Sequence, residues 1–324
     1  MWQNTSVFIT GISGFVGGHL ARALIAEGAE VTGLLHDMKK KNYLDLLEIR
    51  DNVNLVAGSI TDVQLLQRIF VDYKPIDAVF HLAAVSIVGK AVLYPLHTYQ
   101  TNVFGTLALL EACRLALDKP KTILVTSTDK VYGNKEDAVE TDSLNGDGIY
   151  ESSKVNMDVV SSAFFYQYGL PIVTTRSCNI YGMDAYNSRI VPNTIMAMLR
   201  GESPVIFKGE DTIREYIHAY DVCDAYMQLA DGIDKTKGQA YNVGSGTTIS
   251  QKDLVLKIVE IGNDVLGTNI KPKYVRRDSP AREIEKQSMN SDKIERDIGW
   301  RSHIGLDEGL RMTFLDFVRC KENE

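Results

Sequence analysis

Short apolar runs, each closed by a glycine or small-residue turn and followed by apolar positions at helical spacing, recur through the first half of the chain. Ser6-Val7-Phe8-Ile9-Thr10 predicts a buried strand, and a glycine turn follows at once. A helical pattern then runs Gly18 to Glu27, and Val31 to Leu35 predicts a second strand. Val53 to Val56 predicts a third, leaving through Gly58-Ser59-Ile60-Thr61-Asp62 into a helix over Val63–Asp72. Asp77 to Ala84 reads as a fourth strand running into a small-residue loop. A helix over Thr98–Leu117 leads to a fifth strand at Thr122–Thr126, and a further helical pattern runs from Tyr150 to about Tyr168. Strand and helix alternate throughout, which predicts an α/β chain built on a doubly wound parallel sheet. The chain is expected to leave that unit near Asn179 and return for about 213–243. One unit is thus residues 1–178 plus about 213–243, and a smaller C-terminal α/β unit is about 179–212 plus 244–324.

Composition narrows the function classes. The 324 residues are 44% apolar and 24% charged, within the range of globular proteins and enough for a large core. A net charge of −7 gives no footprint for nucleic acid or an anionic membrane, and Lys39-Lys40-Lys41 reads as a solvated loop. Cys113, Cys178, Cys223 and Cys320 stand far apart, without metal-ligand spacing, so reduced and mostly buried thiols are expected and no metal site. No apolar run is long enough to cross a bilayer, and the first strand begins without a leader. The expectation is a cytoplasmic protein.

The turn after the first strand carries Gly11, Gly14 and Gly17 as G-x-x-G-x-x-G, in a strand–turn–helix–strand context. Gly11 permits the tight turn, Gly14 lets backbone approach a pyrophosphate, and Gly17 allows close packing. Phe15 and Val16 lie at the helix N-terminus that meets the negative charge. That is a Rossmann-type dinucleotide site. The acidic residue expected about twenty positions on is late: Asp37 suits a ribose 2′-hydroxyl and hence NAD, while Lys39–Lys41 would suit the 2′-phosphate of NADP. NAD is the expected cofactor, with NADP the alternative. Ile60 and Asp62 stand where an adenine would lie, and Asp62 is equally suited to cap the following helix. Leu82-Ala83-Ala84 would let backbone pass close to the same cofactor.

The second chemical stretch runs from Thr128 to Lys154. Tyr150 and Lys154 lie one turn apart on one helix face. An ammonium and a nearby cationic ring would lower the phenol toward working pH, and Thr128 would hydrogen-bond the same substrate oxygen. Alone, Y-x-x-x-K is an ordinary surface pair; the glycine turn gives it meaning.

These landmarks resemble those of the extended short-chain dehydrogenase/reductases acting on nucleotide sugars. The resemblance rests on the glycine turn, His81-Leu82-Ala83-Ala84, Asn102-Val103-Phe104-Gly105-Thr106, Ser127 to Gly133 and Tyr150/Lys154. It continues through Arg176-Ser177-Cys178-Asn179-Ile180-Tyr181-Gly182, Arg214 to Val222, Asn242 to Gly246 and Asp297 to Trp300. It implies a cofactor role for Asn102 and places the nucleotide sugar near Ser86, Asn179, Arg189, Arg214 and Arg282, the arginines being suited to a diphosphate. Val205-Ile206-Phe207 would line the base. The helices Thr98–Leu117 and Tyr150–Tyr168 resemble the pair that forms a four-helix interface in this family, which implies a homodimer.

Within that family, Asp129-Lys130 resembles the Asp-Lys pair of CDP-glucose 4,6-dehydratases and departs from the commoner Asp-Glu. It implies a nucleotide-sugar 4,6-dehydratase of the CDP-glucose or GDP-mannose dehydratase kind, a lyase that makes a 4-keto-6-deoxy sugar. Tyr150 would take the 4-hydroxyl proton as hydride leaves C4, Lys130 would remove the C5 proton, and Asp129 would protonate the departing C6 hydroxyl. Lys130 would have to be neutral, which calls for burial or a neighbouring cation. The alternatives are a 4-epimerase, a 5,6-dehydratase, or a non-catalytic NAD(P)-sensing protein.

Overall fold

Alternate residues of the central strands enter two different cores. Phe8, Val79, Ile123, Val125 and Ile172 bury among Leu65, Leu66, Ile69, Leu109 and Met157. Val7, Ile9, Phe80, Leu124 and Val173 bury with Leu20, Leu24, Val222, Tyr226 and Leu229. A sheet apolar on both faces must be clothed by helices on both, the condition under which parallel strands are stable. Each of these side chains contributes about 1.5–3 kcal/mol by leaving water. The computed structural model describes residues 2–36, 42–72, 75–186, 188–208, 212–276 and 285–322.

In chain order the strands are β1 (Ser6–Thr10), β2 (Glu30–Leu35), β3 (Val53–Ala57), β4 (Ala78–His81), β5 (Thr122–Thr128), β6 (Ile172–Ser177), β7 (Asn179–Tyr181), β8 (Val205–Lys208), β9 (Ile213–His218), β10 (Ala240–Val243), β11 (Thr248–Ser250), β12 (Lys273–Arg276) and β13 (Lys286–Gln287). The large sheet has seven strands in the order β10-β6-β5-β4-β1-β2-β3, with every neighbouring pair parallel. Its order reverses between β1 and β4, so the chain leaves the strand ends in opposite directions there and opens a crevice.

The smaller unit is built around β9, which pairs with β7 and β13 in parallel and with β11 antiparallel. β8 and β12 form a separate parallel pair. Val191, Ile195, Met198, Leu254, Ile258, Leu310 and Phe314 form its core. The expected return to the large sheet near residue 213 is displaced: β9 stays with the small sheet. The chain rejoins at the helix Ala219–Asp231, which packs against the helix Phe15–Ala26, and then at β10.

The segment predicted as one helix over Thr98–Leu117 is interrupted. It reads as helix Pro95–Tyr99, a π-turn over Gln100–Phe104 and helix Gly105–Leu115. Such single wide turns often mark functional positions. Among the described residues no helix is long and apolar enough to cross a membrane, and no group of three or more His, Cys, Asp or Glu side chains is placed to hold a metal.

Candidate active site

A cavity of about 1780 Å³ occupies the crevice, bounded by the glycine turn on one side and the smaller unit on the other. Gly11 has φ +74°, and a Cβ there would lie 2.7 Å from the Ala83 nitrogen. A Cβ on Gly17 would lie 2.2 Å from the Gly11 carbonyl oxygen. Only glycine fits either position, so the turn is drawn tight against Leu82 and Ala83. The helix Phe15–Ala26 begins at Gly14 without a side-chain cap, leaving first-turn amides directed at a cavity that Gly14, Phe15, Val16 and Gly17 line. Uncapped amides, a positive helix end and space for a long ligand fit a dinucleotide pyrophosphate.

Ile60, Leu82, Ala83 and Ala84 line this cavity as expected. Asp62 is outside its lining and caps the helix Val63–Asp72, accepting from the Leu65 amide at 3.0 Å. Asn102 departs from its expected cofactor role. It is fully buried behind the wall, accepts from the Val85 amide at 2.7 Å, and donates to Ser153 Oγ at 2.9 Å and the Val85 carbonyl at 3.3 Å. The π-turn carries this side chain, whose bonds to Val85 brace the loop beyond β4, and Asn102 is not among the residues lining the cavity. Asp37 and Arg282 lie outside the described residues.

The chemistry gathers where β5 ends. Thr128 closes that strand, and Asp129–Tyr132 form a single 3-10 turn capped by the Thr128 hydroxyl, which accepts from the Lys130 amide at 3.4 Å. Thr128 Oγ1 donates to Asp129 Oδ1 at 2.9 Å. Asp129 is 2% exposed, lines the cavity, and has no partner for Oδ2 among the described residues. Lys130 lines the cavity too, with Nζ 3.5 Å from Gln287 Oε1. Behind Asp129, the buried Glu215 carboxylate accepts from the Gly246 and Met289 amides, each at 2.8 Å. Desolvation by burial raises its proton affinity, as does the Asp129 charge.

Tyr150 and Lys154 lie on one face of the helix Ile149–Tyr168. Burial raises Tyr150 well above its usual value and outweighs the lowering bond from Thr128, and the Asp129 charge adds to the rise. Lys154 turns its ammonium to the Thr126 carbonyl at 2.7 Å. Burial lowers it to about 8, opposed by the charge of Asp158 one turn along the helix. Asp158 is held by Arg176 Nε at 2.7 Å, and Arg176 Nη1 reaches Tyr132 Oη at 2.7 Å and the Glu140 carbonyl at 3.1 Å.

On the far wall, Ser86, Asn179, Arg189 and Arg214 all line the cavity, as do Val205, Ile206 and Phe207. Asn179 Nδ2 donates to the Glu215 carbonyl at 3.1 Å, and Arg214 Nη1 donates to the carbonyls of Ile213 at 2.9 Å and Glu285 at 3.2 Å. Three lining residues escaped the sequence reading. Tyr43 donates from its phenol to Asp184, Asp184 stands 3.8 Å from the Arg189 guanidinium, and the Tyr43 and Tyr186 rings meet edge-on at 5.1 Å. An acid shortly after Asn179-Ile180-Tyr181-Gly182 was a signal for Asp184. Nothing in the sequence marks Tyr43 as its partner across 141 residues.

Comparison with known proteins covers nearly the whole chain. Residues 8–313 match the family described as GDP-mannose 4,6 dehydratase. A dTDP-glucose 4,6-dehydratase of Shigella flexneri is 28% identical over 336 residues, covering 95% of this chain and 91% of that protein. The structure of a dTDP-glucose 4,6-dehydratase from Streptomyces venezuelae, solved with NAD bound, superposes with TM-score 0.85 at 27% identity, covering 97% of each chain. A UDP-glucose 4-epimerase from Thermotoga maritima, solved with UDP-glucose, superposes with TM-score 0.86 at 26% identity, covering 99% of this chain and 100% of that one.

Proposed function

The chain belongs to the GDP-mannose 4,6 dehydratase family, and from that premise we propose that it is an NAD-dependent nucleotide-sugar 4,6-dehydratase, converting an NDP-hexose to its 4-keto-6-deoxy form. The backbone superposes equally well on an epimerase, so shape does not select the reaction. The observation that carries the choice is Asp129: a buried acid in the turn after β5, bonded to Thr128, with no partner for its second oxygen among the described residues. An epimerase needs no acid there, because it expels nothing.

A nicotinamide bound in this crevice would supply reversible hydride storage, and its positive charge would favour the phenolate of Tyr150. Tyr150 accepts the proton of the 4-hydroxyl, with Thr128 orienting that oxygen. Lys154, one turn from Tyr150, would hold a cofactor ribose beside the phenol. Lys130 removes the proton at C5, now acidified by the 4-ketone, and restores it at the end. Asp129 protonates the C6 hydroxyl as it departs as water. Gly11, Gly14, Phe15, Val16 and Gly17 hold the pyrophosphate; Ser86, Asn179, Arg189 and Arg214 take the sugar nucleotide. Residues up to Cys178, with the helix Ala219–Asp231 and β10, form the cofactor unit, and the remainder forms the nucleotide-sugar unit.

The protein acts as a homodimer in this reading. Val92, Leu93, Tyr94 and Leu96 are each more than 60% exposed on one stretch, with Phe104, Val159 and Tyr166 exposed on the adjoining helices. An apolar patch of this kind is a protein interface. Buried thiols at Cys113, Cys178 and Cys223 suit a cytoplasmic setting.

The deciding experiment is incubation with NAD and a panel of GDP-mannose and CDP-, UDP- and dTDP-glucose. A product lighter by one water is expected with one of them. A product of unchanged mass would assign the site to epimerisation instead.

A further inference from the structure

Removal of the C5 proton asks Lys130 for orientation as well as basicity. A lysine head rides on a flexible stem and can swing widely. As a base it must present a lone pair, which only the neutral amine has, to one face of the sugar ring. Lys130 is half-buried in the cavity wall. The partner of its head comes from far along the chain: Nζ donates to Gln287 Oε1 at 3.5 Å, across 157 residues.

We propose that Gln287 is a positioning residue for this base, holding the Lys130 amine from behind so that its lone pair faces the sugar. The proposal rests on the dehydratase reading above. Gln287 is 1% exposed and is not among the residues lining the cavity, whereas Lys130 is, so the amide meets the amine from the protein side of the wall. The amide has one orientation. Its Nε2 donates to the Gly133 carbonyl at 3.3 Å, and a carbonyl only accepts, which leaves Oε1 turned to Nζ. With one N–H of the amine directed at Gln287, the lone pair is turned to the cavity side. The amide is also uncharged. It holds amine and ammonium alike, where a carboxylate would favour the ammonium and so remove the base.

Gln287 is itself fixed from two sides. β13 pairs with β9, which sets Gln287 opposite Arg214. The flanks of β13 are laced to the chain just past the Asp129–Tyr132 turn. The Lys286 amide donates to Asn134 Oδ1 at 3.2 Å and the Ser288 amide to the Lys135 carbonyl at 3.2 Å. The Ala138 amide donates to the Ser288 carbonyl at 3.1 Å and the Asp137 amide to Ser288 Oγ at 2.9 Å. Beyond them the Met289 amide is held by the buried Glu215 carboxylate at 2.8 Å. A buried side chain on a strand held this way is ordered before the substrate arrives, and such preorganisation lowers the entropic cost of reaction. In the step it serves, the C5–H bond breaks, the proton joins the Lys130 nitrogen and the electron pair moves toward the 4-keto oxygen. Gln287 exchanges no atom. A 4-epimerase leaves C5 untouched and makes no such demand.

The test compares the wild type with Gln287→Leu, Gln287→Glu and Ser288→Ala, each loaded with NAD and mixed in deuterated buffer with GDP-mannose or CDP-, UDP- or dTDP-glucose. Oxidation at C4 is read from reduced-cofactor absorbance and the C5 step from deuterium in the sugar by mass spectrometry, with thermal unfolding recorded for each. Leucine should slow C5 exchange about 10²-fold while KM and the rate of C4 oxidation hold. Glutamate, of the same length, should slow exchange further at neutral pH by holding the ammonium, and should lose that excess as pH rises. The charged groups around the pair are Asp129 in the same turn, Arg214 and Glu215 on β9, and the exposed Lys286–Glu136 pair at 3.6 Å. All are common to the variants, so the glutamate profile reports one added charge and stands on its own should leucine loosen the strand. Ser288→Ala, which removes a bond of the same ladder, should leave both steps as in the wild type. Both steps falling together, or glutamate faster than leucine at every pH, would overturn the positioning role while water loss by the wild type keeps the dehydratase reading. Absence of a dehydrated product from the wild type with all four sugars would overturn that reading and this proposal together.

Discussion

Asp158→Asn tests how the fold keeps Lys154 charged. Lys154 is 3% exposed, and burial brings it down to about 8, with Asp158 the opposing influence. Residues four apart on a helix face each other at about 5–6 Å between Cβ atoms. At an effective dielectric constant of about 20, unit charges at that separation interact by about 3 kcal/mol, equivalent to about 2 pH units. Arg176 draws the carboxylate away from Lys154 and takes up part of that, so about 1–2 pH units remain. The sign follows from the chemistry. The ammonium form is the useful one, present below the Lys154 pKa and lost as pH rises through it. Removing Asp158 while its partner Arg176 remains lowers that pKa further. The alkaline limb of the single-turnover rate should therefore move about 1–2 pH units toward acid at matched cofactor loading. Arg176→Gln should move it the other way. Since breaking one member of a buried pair costs about 3–5 kcal/mol, thermal unfolding is recorded alongside. Loss of stability with both limbs unmoved would reduce Asp158 to a structural role and refute the argument.

Three other perturbations bear on the same site. Gly17→Ala should abolish NAD binding in a calorimetric titration and lower the melting temperature, because the new Cβ meets the Gly11 carbonyl at 2.2 Å; unchanged affinity would show that the turn yields. Lys130→Ala should stop exchange of the C5 hydrogen with solvent deuterium, seen by mass spectrometry, while oxidation at C4 continues; normal exchange would move the base elsewhere. Burial lowers His81 to about 3 and His19 and His218 to about 4. The unfolded chain then binds more protons than the native one below about pH 6.5, so stability should fall from there toward about pH 4, by several kcal/mol in urea titrations. His81→Asn should flatten the slope, and a flat wild-type profile would contradict it.

The parts of this molecule legible in the sequence are those whose physics is local. Gly11 to Gly17 are read from one turn, Tyr150 and Lys154 from one helical period, and β1 to β5 from apolar runs between turns. What escaped depends on partners remote along the chain. Asn102 is aimed inward by a π-turn that no residue type announces, and Arg176 meets Asp158, Tyr132 and Glu140 only once β6 lies beside β5. The segment Ile213–His218 is apolar enough for either sheet, and its neighbours β7, β11 and β13 decide which. The burial of the Tyr150 phenol lies beyond the sequence for the same reason. Helical spacing brings Lys154 near, but the degree of burial, which governs the sign, is a property of the assembled crevice.

The four-residue turn Asp129–Tyr132 carries both side chains proposed to expel water at adjacent positions, separate from the helix that bears Tyr150 and Lys154. One backbone superposes on proteins of both kinds, so what separates their products has to be written in side chains at corners such as this one and not in the scaffold.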